Sequence, residues 1–205
     1  MKFKQHILPW LILFCFTLLV IKLCQPSEST GYSITKNTTT PTKDSTQIIK
    51  EAQAYSNLKK SYDDIEQYHW YENSYFTHYI NETNISLYIG LKQGSSNPFM
   101  RLKLSCKTDK VMGMEHIVLY YDGNTMDLPI DYFKERNFDN DGRACWEWVD
   151  IIIKQNYISF IEKMAKGNDV RIRFKGSRFD KDYKVTQLEK QALEQVILGY
   201  NNFFN

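Results

Sequence analysis

The sequence predicts a single domain of the α+β class, in which helices pack against an antiparallel sheet. Two patterns carry this prediction: short runs that alternate apolar and polar residues, typical of half-buried strands, and stretches with apolar residues at helical spacing. The third observation is length, because the 205 residues leave roughly 150 for one domain once an apolar N-terminus and a polar tether are set aside. A domain of that size buries its own core.

The predicted domain covers residues 48–205 and opens with a helix. Apolar residues recur at steps of three and four over residues 48–68, which predicts a packed stripe. Strand-like runs follow at 75–80, 85–91, 99–106 and 115–121. The third run is the clearest, because its apolar side chains alternate with polar ones: Met100, Leu102, Leu104 and Cys106. Asp122 and Gly123 then predict a tight hairpin, since both residue types tolerate positive φ angles.

The C-terminal part of the chain predicts two helices separated by a strand. We expect a strand at 143–149, a helix at 154–166, and a strand at 170–174. Thr186 and Glu189 form a T-x-x-E capping box at the start of the last helix. Its predicted apolar stripe contains Leu188, Ala192, Val196, Tyr200 and Phe203, widened by Leu193 and Ile197. These elements predict one sheet of about five or six strands, with all helices on one face.

The charge of the chain argues against nucleic-acid binding. The formal net charge is +2, but residues 1–47 hold five lysines and two acids, which leaves 21 basic and 22 acidic residues downstream. The predicted domain is therefore close to neutral. A nucleic-acid-binding domain carries a strong basic excess.

The N-terminus has the pattern of an export signal or membrane anchor. Lys2 and Lys4 precede an uninterrupted apolar run at 7–21, which is the length of a signal-peptide core. A spanning helix needs about 20 apolar residues, and the run nearly reaches that length at Cys24 because Lys22 can snorkel to the interface. We expect residues 1–24 to export the chain and to hold it at a membrane.

Three fates are possible for the N-terminal segment that ends at Cys24. Residues 1–24 remain as an anchor, Cys24 is lipidated, or the segment is cleaved. The position of Cys24, with the polar stretch CQPSEST after it, resembles bacterial lipoproteins, although Lys22 and Leu23 stand where that family has small residues. Residues 25–47 are rich in Ser, Thr, Lys and Pro and predict a flexible tether. All three routes place the domain outside the cytoplasm.

The sequence predicts no cofactor and no metal. Segment 137–142, NFDNDG, matches the first positions of a calcium-binding loop, but Trp148 stands where that loop needs a bidentate Glu. No nucleophile elbow, phosphate-binding loop or zinc-binding helix motif is found. Cys106 and Cys145 are the only cysteines in the predicted domain. In an oxidising compartment they are a disulfide candidate, and the alternative is two reduced buried thiols.

Two groups of residues are candidates for binding. The aromatic segment 68–71, YHWY, offers rings that stack on a sugar or peptide, although packing between the helix and the sheet is the commoner use. Arg171, Arg173, Lys175 and Arg178 form a local positive cluster, with the first three on one face of a strand. This face meets anionic lipid headgroups or an acidic protein, or it is a solvated surface paired with nearby acids. The acids expected to pair with it are Glu135, Asp139, Asp141 and Glu147.

These features together favour a membrane-tethered, exported protein with a non-catalytic binding role. The first alternative is an envelope enzyme of the hydrolase type with a site that no motif reveals. The second is an inhibitor or a structural spacer. A deep polar cleft with clustered titratable groups would favour the enzyme, and an exposed aromatic patch would favour binding.

Overall fold

The computed structural model describes residues 45–204, which form an α+β domain with three helices and ten strands. The predicted segment 1–24 and most of the tether 25–47 lie outside the described residues. In chain order the elements are α1 (Ser45–Ala54), β1 (Leu58–Asp63), β2 (Tyr68–Asn73), β3 (Asn84–Lys92), β4 (Phe99–Thr108), β5 (Met114–Tyr121), β6 (Asn124–Pro129), β7 (Asn137–Asn140), β8 (Cys145–Ile152), α2 (Gln155–Lys166), β9 (Val170–Gly176), β10 (Asp180–Lys184) and α3 (Gln187–Phe204).

The strands form two antiparallel sheets rather than the one sheet that the sequence predicts. The larger has six strands in the order β1-β2-β3-β4-β8-β7, and the smaller has four in the order β10-β9-β5-β6. The predicted alternation in β4 is confirmed, because Met100, Leu102, Leu104 and Cys106 are all buried. This inner face of the large sheet packs into one core with the helices and the inner face of the small sheet.

The hairpin between β5 and β6 is confirmed. Asp122 and Gly123 have φ angles of 44° and 89°, the left-handed values that a two-residue turn of the favoured hand requires. Strand β9 pairs with β5 on its other side, although the two strands are separated by β6, β7, β8 and α2 in the chain. The small sheet therefore depends on a long-range pairing that local sequence patterns do not reveal.

The capping box of α3 is also confirmed. The backbone N of Glu189 donates to Thr186 Oγ1 at 3.2 Å, and the backbone N of Thr186 donates to Glu189 Oε2 at 2.7 Å. One member of the predicted apolar stripe is wrong, because Leu188 is 49% exposed. Glu189, the next residue, is buried in its place.

The predicted first helix at 48–68 is wrong beyond Ala54. The chain instead forms the hairpin of β1 and β2, which pair in register from Leu58–Asn73 to Asp63–Tyr68. Asp63 Oδ1 accepts hydrogen bonds from the backbone N atoms of Ile65 and Glu66, both at 3.0 Å. This side-chain turn competes with helical hydrogen bonding and reverses the chain.

The predicted strand at 75–80 is a loop. Asn73 Oδ1 accepts from the backbone N atoms of Tyr75 and Phe76 at 2.8 and 2.7 Å, which bends the chain at the end of β2. The loop then packs on the large sheet, where Asn84 Nδ2 donates to the backbone oxygen of Tyr79 at 3.0 Å. No helix within residues 45–204 is long and apolar enough to cross a bilayer.

Candidate binding faces of the two sheets

The outer face of the small sheet carries three of the four predicted basic residues. Strand β9 alternates strictly, so Arg171, Arg173 and Lys175 are exposed while the residues between them are buried. Together they border a shallow pocket of about 220 Å³, which we call the basic pocket. It is lined by Val118, Tyr120, Thr125, Arg171, Arg173, Lys175 and Asp182.

Arg178 does not line the basic pocket. It lies in the turn between β9 and β10, and its backbone N donates to the backbone oxygen of Met112 at 3.2 Å. The turn thus connects the small sheet to the loop that precedes β5. The structure brings together Arg171, Arg173 and Lys175, but not Arg178.

Two arginines of the basic pocket are paired with acids. Arg173 binds Asp182 through two hydrogen bonds of 2.6 and 2.7 Å. Arg171 donates to Asp169 at 2.8 Å, and its guanidinium lies 4.5 Å from the centre of the Tyr120 ring. The hydrogen bond from Arg173 lowers the pKa of the Asp182 carboxyl. These exposed pairs orient the guanidinium groups but contribute little to stability.

The predicted partners of the basic cluster are wrong. The acids that pair with it are Asp169 and Asp182, one just before β9 and one on β10. Lys175 has no ion pair among residues 45–204. The basic pocket and its two ion-pair partners hold three cations and two carboxylates, an excess of one positive charge, and Asp180 lies opposite Lys175 in the register of β9 and β10.

The cysteine pair is not bonded. Cys106 and Cys145 are both free thiols. The register of β4 and β8 places Cys106 opposite Glu147 and Cys145 opposite Thr108. The two cysteines are thus diagonal neighbours, about 7–8 Å apart, which exceeds the usual Cα separation of a disulfide. Burial raises the pKa of the Cys106 thiol to about 12, which makes it a poor nucleophile.

The outer face of the large sheet carries a cluster of aromatic rings, which we call the ring cluster: Tyr68, Trp70, Tyr88 and Phe99. Tyr68 and Trp70 stack with ring centres 5.4 Å apart, and Phe99 meets both edge to face. The rings of Trp70 and Tyr88 lie 5.5 Å apart. All four are half-buried, so part of each ring faces solvent.

A glycine makes room for the ring cluster. Gly90 lies between Trp70 and Phe99 in the register of β2, β3 and β4. A Cβ atom at Gly90 would lie 2.6 Å from Trp70 Cζ3 and still closer to the Phe99 ring. Glycine therefore lets the two rings meet over the backbone of β3.

A polar network adjoins the ring cluster. Tyr88 donates its hydroxyl to both carboxylate oxygens of Asp150, at 2.6 and 2.7 Å. Arg101 Nε donates to Asp150 Oδ1 at 2.8 Å, and Lys103 Nζ lies 3.6 Å from Oδ2. Burial, followed by the hydrogen bond to Asp150, raises the pKa of Tyr88. Tyr88 therefore remains a neutral hydroxyl at physiological pH.

A small cavity of about 80 Å³ lies beside this network. His78, Ser86, Tyr88 and Lys103 are among its lining residues. His78 Nδ1 shares a hydrogen bond of 3.0 Å with Ser86 Oγ. His78 Nε2 is buried without a hydrogen-bond partner in the described part of the chain. Burial, and then the charge of Lys103, lower the pKa of His78 to about 3, so its ring is neutral at physiological pH.

This arrangement suits binding better than acid–base catalysis. Asp150 already accepts hydrogen bonds from Tyr88 and Arg101 and lies 3.6 Å from Lys103 Nζ, so both of its carboxylate oxygens are engaged within the sheet. Glu147 does not join Asp150 as a carboxylate pair, because it is buried on the inner face of β8 while Asp150 is on the outer face. Within residues 45–204, no group of three or more His, Cys, Asp or Glu side chains is placed to hold a metal ion.

Sequence reasoning missed the ring cluster and the polar network. The aromatic segment 68–71 was noted, but a helix was predicted to end there. In the structure it begins β2, so Tyr68 and Trp70 point outward while Tyr71 is buried. The overlooked signal is strand alternation in 68–73 together with Gly90 in the next strand.

Comparison with protein-family models, with curated proteins and with solved structures finds no significant match for this chain.

Proposed function

We propose that this chain is an exported, non-catalytic binding protein that its N-terminal segment holds at a membrane, and that the basic pocket receives the phosphate of an anionic lipid headgroup. The basic pocket is the observation that carries this proposal. A concave site that brings three cations together against the two carboxylates of Asp169 and Asp182, on an otherwise near-neutral domain, favours a small anion.

The shape of the pocket favours a headgroup over a large acidic surface. Its volume of about 220 Å³ suits one phosphate group with its immediate substituent. Tyr120 forms one wall, and its ring holds the Arg171 guanidinium in place. Arg173 is fixed by its two bonds to Asp182, so little side-chain entropy is lost when an anion binds.

A weak site suffices if the domain is tethered. Each basic residue near an anionic membrane surface contributes about 1 kcal/mol, and the pairing with Asp169 and Asp182 reduces that contribution here. A short flexible linker, however, raises the effective concentration of the site at the membrane to the millimolar range. The proposed anchor at 1–24 and tether at 25–47 supply such a linker, which makes a weak headgroup contact effective.

The state of the N-terminus tests the tethering part of the proposal. We expect the chain to fractionate with membranes outside the cytoplasm, either through an intact apolar segment or through a lipid on Cys24. Mass spectrometry of the mature N-terminus distinguishes these routes, because an intact Met1 indicates an anchor and a diacylated Cys24 indicates a lipoprotein. A soluble product that begins after Gln25 would contradict both.

Vesicle binding tests the pocket. Residues 45–205, prepared without the N-terminal segment and checked for a cooperative melt, should sediment with phosphatidylcholine vesicles only when these contain phosphatidylglycerol. Binding should weaken as salt is raised. The triple change Arg171→Gln, Arg173→Gln and Lys175→Gln should abolish it, and the matched control changes Lys59, Lys92 and Lys163 to Gln.

Three outcomes would contradict the pocket assignment. The first is equal binding of the two triple variants, and the second is binding that is indifferent to salt. The third is binding to an acidic peptide but not to vesicles, which would assign the pocket to an acidic protein.

A further inference from the structure

We propose that a groove along the last helix, α3, binds an extended and uncharged peptide segment of a partner protein. The groove has a volume of about 700 Å³ and follows α3 from Leu188 to Asn201, and we call it the α3 groove. It shares no lining residue with the basic pocket, so this inference does not depend on the membrane proposal. Three observations carry it: the shape of the groove, the side chains on its floor, and its charge.

The α3 groove has the length of a short extended chain. Helix α3 forms its floor, with α2 on one side and the segment after β2 on the other. Lys190 Nζ donates to the backbone oxygen of Gly167, just beyond α2, at 2.9 Å. Asn73 Nδ2 donates to Gln195 Oε1, and residues 190 and 195 project about 140° apart on a helix. The floor is about 20 Å long, at about 1.5 Å per residue, which accommodates about six residues of an extended chain.

The exposed stripe of α3 combines leucines with carboxamides. Leu188, Gln191, Gln195 and Leu198 follow one another at steps of three and four, so they lie on one face of the helix. Leu188 and Leu198 are 49% and 56% exposed, and the buried Ala192 lies beside them in the groove. Exposed apolar surface of this kind favours a ligand with aliphatic side chains.

The two carboxamides between the leucines favour the backbone of a peptide. A carboxamide has the same donor and acceptor as a peptide group. Gln191 and Gln195 are about 6 Å apart along the helix axis, close to the two-residue repeat of about 6.6 Å in an extended chain. Gln191 is exposed, and Gln195 accepts from Asn73 through Oε1, so it offers a ligand its Nε2 donors.

A helix or a sugar fits these side chains less well. The backbone groups of a helix bond to one another, and an amphipathic helix presents an apolar face to a groove. It would cover Gln191 and Gln195 without pairing them, which costs free energy. Sugars stack their C–H faces on aromatic rings, but of the described residues only Tyr75 contributes a ring to this groove. An extended peptide with aliphatic side chains matches both the amides and the leucines.

The charge of the α3 groove disfavours an anionic ligand. The charged residues that line it are Glu162, Lys166 and Glu194. Glu162 and Lys166 form an ion pair of 3.3 Å, so the lining has an excess of one negative charge. The neighbouring charges bring the wider region to neutrality and give it no positive excess: Lys59 opposite Glu72 on the large sheet, Lys163 on α2, and Glu189 and Lys190 on α3. We therefore expect an uncharged ligand.

Binding of defined octapeptides tests this proposal. The full-length chain is held in phosphatidylcholine nanodiscs, because free detergent would occupy an apolar groove. The probes are octapeptides with acetyl and amide ends, in which threonine alternates with valine, isoleucine, leucine or alanine. An octapeptide with aspartate in place of threonine, an amphipathic helical peptide of leucine and glutamine, and cellohexaose represent other occupants. We expect at least one uncharged octapeptide to bind saturably in calorimetry, with a Kd of about 10 μM to 1 mM.

Methylation of the peptide backbone tests how the ligand is recognised. Successive N–H groups of an extended chain point to opposite edges, so two derivatives of the best octapeptide are needed, methylated at the odd or at the even nitrogens. Each derivative lacks the donors of one edge but keeps every side chain. We expect at least one of them to bind at least tenfold more weakly than the parent.

Two variants of α3 locate the site without disturbing the fold. Gln191→Met removes a carboxamide but keeps the length of the side chain, and it should weaken binding about tenfold, the loss of one hydrogen bond. Leu198→Gln removes exposed apolar surface and should weaken binding at least fivefold. Both side chains are exposed, so the melting temperature should hardly change. The control is Gln187→Met, an exposed residue of α3 that does not line the groove.

The proposal is overturned if no uncharged octapeptide binds, if both methylated derivatives bind as tightly as the parent, or if Gln191→Met binds as tightly as the wild type. It is also overturned if the acidic octapeptide, the helical peptide or cellohexaose binds more tightly than every uncharged octapeptide. Weaker binding by both α3 variants and by a methylated derivative, with Gln187→Met unchanged, supports it.

Discussion

Arg136 donates a hydrogen bond of 2.6 Å from its Nε to Oε2 of Glu147, which is completely buried. The same carboxylate accepts from the backbone N atoms of Met112, Gly113 and Met114, at 2.7, 2.9 and 2.6 Å. Burial alone would raise the pKa of Glu147, but the hydrogen bonds from Met114, Arg136 and Gly113 and the charge of Arg136 outweigh it and hold the pKa below its ordinary value. One side chain on β8 thus fixes the entry to β5 and the segment before β7.

We therefore expect Glu147→Ala to be among the most destabilising single changes in the domain. It leaves the Arg136 guanidinium half-buried without its partner and three backbone donors unpaired, at a cost of roughly 3–5 kcal/mol. The free energy of unfolding in urea measures this cost. The control is Lys134→Ala, which removes an exposed pair with Asp131 and should cost less than about 1 kcal/mol. Similar losses of unfolding free energy in the two variants would show that Glu147 does not hold these segments in place.

A second buried carboxylate ties α3 to the large sheet. Glu189 Oε1 accepts from the backbone N of Ile85 at 3.0 Å, and Oε2 accepts from Tyr183 Oη at 2.8 Å and from Thr186. Thr186→Ala should cost about 1 kcal/mol, the value of an N-cap. Glu189→Ala should lower the free energy of unfolding by at least about 2 kcal/mol, because it also leaves the buried backbone N–H of Ile85 without a hydrogen-bond acceptor. If chemical denaturation gives the same loss of unfolding free energy for both variants, Glu189 acts only as part of the helix cap.

The fold predictions were right where local patterns decide the structure. The alternation in β4, the Asp122-Gly123 hairpin and the capping box at Thr186 each depend on a few consecutive residues. The fold predictions failed where a side chain accepts backbone hydrogen bonds and so reverses the chain. Asp63 and Asn73 each accept two backbone hydrogen bonds, and those turns replaced a predicted helix and a predicted strand. The apolar steps at 48–68 fit both a helix and a hairpin.

The binding faces were likewise predictable only where consecutive residues of one strand determine them. The alternation of β9 placed Arg171, Arg173 and Lys175 on one outer face, as observed. Asp182 was not predicted as the partner of Arg173, because β10 was not recognised as a strand, and Asp169 was not predicted because it precedes the alternating run of β9. The ring cluster joins residues from β2, β3 and β4, and its polar network adds Asp150 from β8. Only the sheet order brings these residues together, and no local pattern specifies that order.

Gly90 tests the packing of the ring cluster. Gly90→Ala places a methyl group where Trp70 and Phe99 meet, and overpacking of this kind costs about 1–3 kcal/mol. It should also shift the fluorescence of Trp70 towards that of an exposed indole, because the ring must move. The control is Gly123→Ala, where a Cβ has open space and only the φ of 89° opposes it. An unchanged fluorescence spectrum in Gly90→Ala would contradict the close packing of the rings.

The last prediction concerns acid stability and His78. The pKa of this residue is about 3 in the folded domain, against about 6.5 in an unfolded chain. Between these values the unfolded state binds one more proton, so stability is full above about pH 6.5 and falls as the pH is lowered towards 3. The loss from this one group reaches at most about 1.4 kcal/mol for each pH unit.

His78→Leu should remove this part of the pH dependence. Between pH 7 and pH 5 the wild type should lose about 2 kcal/mol more than the variant, as measured by urea unfolding at both pH values. This window avoids the titration of Glu147, whose lowered pKa places its contribution at more acidic pH. Thr77→Val, in the same loop and without a titrating group, should follow the wild type. A wild-type slope in His78→Leu would mean that His78 titrates normally in the folded protein, and so that its ring is not shielded in the cavity beside Tyr88.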